Sequence, residues 1–98
     1  MRIDNLPAAA LEAVRVFHDS KLDEARAMSE KCESLVIVLP PAEYDHADWR
    51  RAAARDLARE IAPKRVNIVS GDNDTRIAAT CDYLGNAPGV TGQYLPLA

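Results

Sequence analysis

Two short acidic loops hold most of the residues that could do chemistry. Glu43-Tyr44-Asp45-His46 places two carboxylates, a phenol and an imidazole in consecutive positions. Ser70-Gly71-Asp72-Asn73-Asp74 adds a hydroxyl, a glycine and two further carboxylates. Carboxylates with a histidine suit a divalent cation. With a tyrosine they also suit proton transfer. The same residue types cap helices and solvate loops, and that is the expected role of most of them here. Asp72-Asn73-Asp74 is not a calcium loop, because the glycine and the terminal glutamate of that motif are missing. No metal set is assigned.

Other polar groups carry less. His18-Asp19-Ser20 contains the residue types of a hydrolytic triad, but adjacent side chains on a helix point apart. Cys32 and Cys81 are too few for a disulfide framework. Their neighbours Glu33 and Asp82 have the wrong sign to stabilise a thiolate, so both are expected to be half-buried free thiols. Arg51, Arg55 and Arg59 recur at helical spacing, as a phosphate-binding stripe would. Asp48, Asp56 and Glu60 are interleaved with them, which reads better as a solvated helix face.

Regular elements must position these loops. Residues 1–6 alternate polar and apolar and are expected to form a short edge strand. Pro7 suits the first turn of a helix that carries Leu11, Val14 and Phe17. His18-Asp19-Ser20 interrupts it. A second helix over 21–32 then presents Leu22, Ala25, Met28, Ser29 and Cys32, with one kinked helix as the alternative. Leu35–Leu39 is an unbroken β-branched run, as a central parallel strand covered on both faces would be. A helix over 46–62, with Asp45 as its cap, turns Ala47, Ala53, Ala54, Leu57, Ala58 and Ile61 to one side. Arg65–Val69 is a strand. Residues 75–84 form a helix with Ile77, Ala78, Cys81 and Leu84 inside, and Gln93–Leu97 is a last strand whose Pro96 places it near an edge. Strands alternating with helices imply a parallel sheet with right-handed crossovers.

At 98 residues, 1–98 is a single small domain. Apolar residues make up 48 %, too many for a disordered chain. A net charge of −3 argues against nucleic acid as a partner, since phosphate binding needs a basic face. No apolar run is long enough for a membrane span, and the first residues lack a signal-peptide layout, so a cytoplasmic location is expected.

Three segments, in order, resemble the C-terminal half of the short-chain dehydrogenase/reductase family. They are Leu57-Ala-Arg-Glu-Ile-Ala-Pro63, Arg65-Val-Asn-Ile-Val-Ser70 and Val90-Thr-Gly-Gln93. The resemblance implies an α/β fold: a small three-layer, Rossmann-like domain with a mostly parallel sheet of three to four strands. It also exposes absences. No glycine precedes Gly71, so the family's glycine-rich dinucleotide turn is missing. Counting back from Leu57, the family's catalytic tyrosine and lysine fall on Glu43 and Ala47, with Tyr44 one residue off. The serine of the preceding strand falls in Val38-Leu-Pro-Pro41, which has no hydroxyl. The family's Pro-Gly beside the nicotinamide aligns with Gly71-Asp72. No catalytic residue and no cofactor are therefore expected.

The resulting expectation is a non-catalytic dehydrogenase-like domain that serves as an oligomerising interaction or regulatory module, a dimer being favoured. Family members associate through helices flanking the central strand and through the last helix and strand. Phe17, Trp49, Leu84, Gln93 and Tyr94 are therefore candidate interface residues. Cutting the sheet in half also leaves an unpaired edge. One alternative is a small ligand- or metal-binding domain or minor enzyme using Tyr44, His46, Ser70, Gly71, Asp72 and Asp74, at the carboxyl ends of the strands where α/β sheets bind ligands. Another is an accessory subunit of a partner oxidoreductase.

Overall fold

The structure is a computed structural model that describes residues 1–97. Three strands, β1 (Ser34–Leu39), β2 (Arg65–Ser70) and β3 (Tyr94–Pro96), form one sheet in the order β1-β2-β3, every pairing parallel. β1 is α-helix-free apolar sequence buried on both sides, and β2 lies between two neighbours with Val66 through Ser70 all buried. Helices connect them: α1 (Ala10–Val16), α2 (Leu22–Ser29), α3 (Ala47–Ile61) and α4 (Asp74–Gly85). Leu35, Ile37, Val66 and Ile68 meet Phe17, Ala25, Ala53 and Leu57 in one core on the α1–α3 face. The residues between them on the strands point the other way, toward α4. The three-layer, Rossmann-like expectation holds.

The break at His18 is a widened turn, not an end. Phe17–Lys21 is a π-turn that joins α1 and α2 into one continuous helix, with the Leu22 N–H donating to the Phe17 carbonyl. The extra residue resets the helical phase, so Ala13 and Phe17 before it and Ala25 and Ser29 after it all face the sheet. His18 Nδ1 bonds the Val14 carbonyl at 2.8 Å and the Ser20 hydroxyl donates to the Val16 carbonyl at 2.8 Å. These side chains serve the helix backbone, which accounts for them without a triad. Leu11 is 82 % exposed and Met28 is also exposed, so neither belongs to the buried stripe assigned to them. Arg26 ties α2 to α3 by a bidentate pair with Glu60, at 2.7 and 2.8 Å. Hydrogen bonds from Arg26 hold the Glu60 carboxyl below the usual carboxylate range.

The family-like segments turn out to fasten the fold. Arg65 Nη1 donates to the carbonyls of Leu84 and Ala87 at 3.0 and 2.7 Å, closing the end of α4. Asn67 is fully buried; its amide donates to the Val90 carbonyl and its carbonyl accepts from the Gln93 N–H. The Thr91 hydroxyl accepts from the Val66 N–H, and the Gly92 N–H donates to the Val66 carbonyl at 2.7 Å. A strand and the loop before the next strand are thus laced by side chains as well as backbone.

The unpaired edge foreseen for β1 is partly occupied by this chain. Arg2 bridges Val38 in parallel, with the Ile3 N–H on the Val38 carbonyl at 2.8 Å and the Val38 N–H on the Met1 carbonyl at 2.7 Å. The edge strand expected over 1–6 is limited to this short pairing. Arg2 also reaches Asp4 and Asp74, at 3.1 and 3.0 Å, pinning the segment beside the start of α4. One capping expectation changes: Asp45 lies in a 3-10 turn (Tyr44–His46) and makes no capping bond to α3. Asn73 caps α4 by accepting from the Arg76 N–H at 3.0 Å. No helix among the described residues is long and apolar enough to cross a membrane.

Candidate functional site

The carboxyl ends of β1 and β2 carry the loops singled out by composition. Between the first loop and residues 4–8 lies a cavity of about 460 Å³, within the size range of small-molecule sites. Asp4, Asn5, Leu6, Pro7 and Ala8 form one wall, and Pro40 through Glu43 with His46 form the other. Arg50 of α3 also lines the cavity. Gly71 and Asp72 line a separate, smaller hollow of about 160 Å³ that shares Pro40 and Pro41 with it.

The structure therefore does not gather the two acidic loops into one site. Glu43 and His46 face the larger cavity, Gly71 and Asp72 the smaller one, and Tyr44 lines neither and is 91 % exposed. Asp74 is engaged by Arg2. Ser70 is buried, its hydroxyl 2.9 Å from the Tyr94 hydroxyl. Among the described residues no group of three His, Cys, Asp or Glu side chains converges as a cation would require. Both nitrogens of His46 are committed. Nδ1 accepts from the Trp49 indole N–H at 3.2 Å, and Nε2 faces the Ala8 carbonyl at 2.8 Å. Indole N–H only donates, so the proton sits on Nε2 and is given to Ala8. His46 thereby holds the wall formed by residues 4–8 against α3.

Two of the candidate interface residues are interior. Phe17 and Leu84 have no exposed surface, because Phe17 fills the core beneath Trp49 and Leu84 ends the buried face of α4. They cannot meet a second chain. Gln93 is exposed, and Trp49 and Tyr94 are half-buried. Tyr94 turns inward, toward Ser70 and Arg50.

Arg50 is the residue that composition and motif left unremarked. It is 1 % exposed. Its Nη1 donates to the Pro40 carbonyl at 2.9 Å and to the Tyr94 hydroxyl at 3.3 Å. The guanidinium carbon lies 5.4 Å from the Trp49 ring and 5.8 Å from the Tyr94 ring. Among the described residues Nε has no partner and no carboxylate pairs with the group. The signal was present in the sequence. Arg50 stands three, four and seven residues before Ala53, Ala54 and Leu57, on the buried arc of the helix and not on its solvated one.

A family model described as short chain dehydrogenase-like protein matches residues 1–97. The chain belongs to this family. No curated protein and no solved structure matches it. Within the short chain dehydrogenase-like frame, the positions implied for the catalytic pair hold Glu43 on the cavity wall and Ala47 on α3. Tyr44 projects into solvent. Where the family's nicotinamide-facing Pro-Gly would come, Gly71 packs against Leu97 and Asp72 follows it.

Proposed function

We propose that this chain is a non-catalytic short chain dehydrogenase-like domain that works by binding a small molecule at the carboxyl end of its sheet. What supports this reading most is the cavity between residues 4–8 and 40–46. It lies where open α/β sheets hold ligands, yet its walls carry no hydroxyl, phenol or lysine in reacting positions. The glycine turn that would cradle a pyrophosphate has no counterpart in the sequence. Binding without hydride transfer is the use such a site retains. The module is regulatory: occupancy is sensed through residues 4–8, which continue from the segment 1–3 that pairs with the sheet edge at Val38. Self-association has less support, since the first residues of the chain occupy part of the edge that motivated it.

Ala42→Trp tests the location. Ala42 is an exposed wall residue, so an indole there fills the cavity without disturbing the core. In a thermal-shift screen of organic acids, sugars, nucleotides and amines, at least one class is expected to raise the wild-type Tm. Ala42→Trp is expected to keep its own Tm within about 4 °C, the effect of roughly 1 kcal/mol in a domain of this size, and to lose the shift. A class that stabilises both proteins equally would place the site elsewhere. Flat melting curves throughout would remove the reading.

A further inference from the structure

We propose that the cavity recognises an organic monocarboxylate, with the Arg50 guanidinium as its counter-charge; this rests on the ligand-binding reading above and names the ligand's chemical class. A buried guanidinium without a counter-ion is unusual, because charge removed from water costs free energy unless it is paired. Arginine cannot escape by losing its proton. Arg50 is 1 % exposed, and only neutral groups meet it: a carbonyl, a phenol hydroxyl and two aromatic faces. Nη1 makes both hydrogen bonds, and on the Nε–Nη2 side of the fork the buried Nε is without a partner among the described residues. That side matches the two oxygens of a carboxylate in a bidentate pair.

The cavity that Arg50 lines narrows the class further. Leu6, Pro7, Pro40 and Pro41 give it apolar walls suited to a carbon skeleton. Asp4 and Glu43 stand exposed on the same walls, and Asp4 is already taken by Arg2. Their negative charge disfavours a polyphosphate. One carboxylate directed inward, with an apolar remainder, fits the distribution of charge. Arg50 lines the cavity while only 1 % exposed, and residues 4–8 form a wall of the same cavity. Those residues are held by the His46–Ala8 bond and the Arg2 ion pairs, all near the surface or at the cavity itself.

Nitrogen-15 NMR titrations of the whole chain decide this, with benzoate, benzamide and inorganic phosphate as probes. Benzoate is expected to shift the Arg50 Nε–H resonance and the amides of Leu6, Ala8, Ala42 and Glu43, saturating at millimolar concentration. Benzamide, the same shape without charge, is expected to bind at least tenfold more weakly, and phosphate likewise. Ala42→Trp should abolish the benzoate shifts while its spectrum stays dispersed. If benzamide binds as well as benzoate, Arg50 is not the recognising charge and this inference falls, while the ligand-binding reading stands. Binding of phosphate in preference to benzoate overturns the carboxylate assignment. If no probe shifts these amides saturably and the thermal screen is also flat, both readings fall together.

Discussion

Replacing Phe17 by alanine is expected to destabilise the domain by about 3–5 kcal/mol, the range for deleting a buried phenylalanine ring. Phe17 has no exposed surface and its ring lies 5.4 Å from that of Trp49 and 5.5 Å from that of His18. It sits at the π-turn, where backbone geometry and core packing depend on one another. Ala53 and Ala25 in the same core are already small and buried, so they leave the space of the ring open. Domains of this length have about 5–15 kcal/mol of stability in all. Urea unfolding should therefore show either a midpoint lowered by about a fifth or more, or a chain unfolded in buffer. A loss under about 1.5 kcal/mol would contradict the packing described here. Phe17→Leu, which keeps most of the volume, is expected to lose clearly less than alanine.

The second large effect concerns Gly92. Its φ is +71°, in the left-handed region that β-branched residues rarely enter. A Cβ at this position would also come within 3.3 Å of the Ala58 Cβ and 3.7 Å of the Arg55 Cα. The loop cannot move aside, because the Gly92 N–H and the Thr91 hydroxyl are both bonded to Val66. Gly92→Val therefore combines a backbone cost of about 1–2 kcal/mol with an overpacking cost of about 1–3 kcal/mol. In a domain of this size each kcal/mol lowers Tm by roughly 4–8 °C. A calorimetric Tm lower by about 10 °C or more is expected. A fall under about 4 °C would mean that the close approach of this loop to α3 is not as described.

These two positions also show what could be read from the chain before its structure. The strand over Leu35–Leu39, the helix over 46–62 and the alternation of elements follow directly from hydrophobic period, and the sheet is parallel as that alternation requires. The Val90-Thr-Gly-Gln93 segment was visible as a family resemblance, but not its reason. Only the fold shows that Gly92 lies against α3 and that Asn67 threads the loop. The helix break at His18 was read from polar residues. A π-turn keeps the helix continuous while inserting those same residues, and local sequence does not distinguish the two. Phe17 and Leu84 are interface candidates only through the family resemblance; the apolar stripes of their own helices carry both, and one small core consumes them.

The site was the least legible part. Sequence adjacency gathered Glu43–His46 with Asp72–Asp74, but the strands end at different points around the sheet edge and divide these residues between two hollows. Arg50 was hidden in the opposite way. It belongs to a run of arginines in which Arg51, Arg55 and Arg59 lie on the solvated arc, and Arg50 alone among these has a phase that points inward. A charge on the apolar arc of a helix is a more specific signal than a charge cluster, because burial must be compensated by something.

The claim that binding has replaced hydride transfer is tested most directly by calorimetric titration of the whole chain with NADH and NADPH. The account predicts no saturable heat up to millimolar nucleotide. It also predicts no oxidation of either nucleotide when carbonyl compounds are added. Stoichiometric binding at micromolar concentration, followed by carbonyl-dependent loss of reduced nicotinamide absorbance, would contradict it.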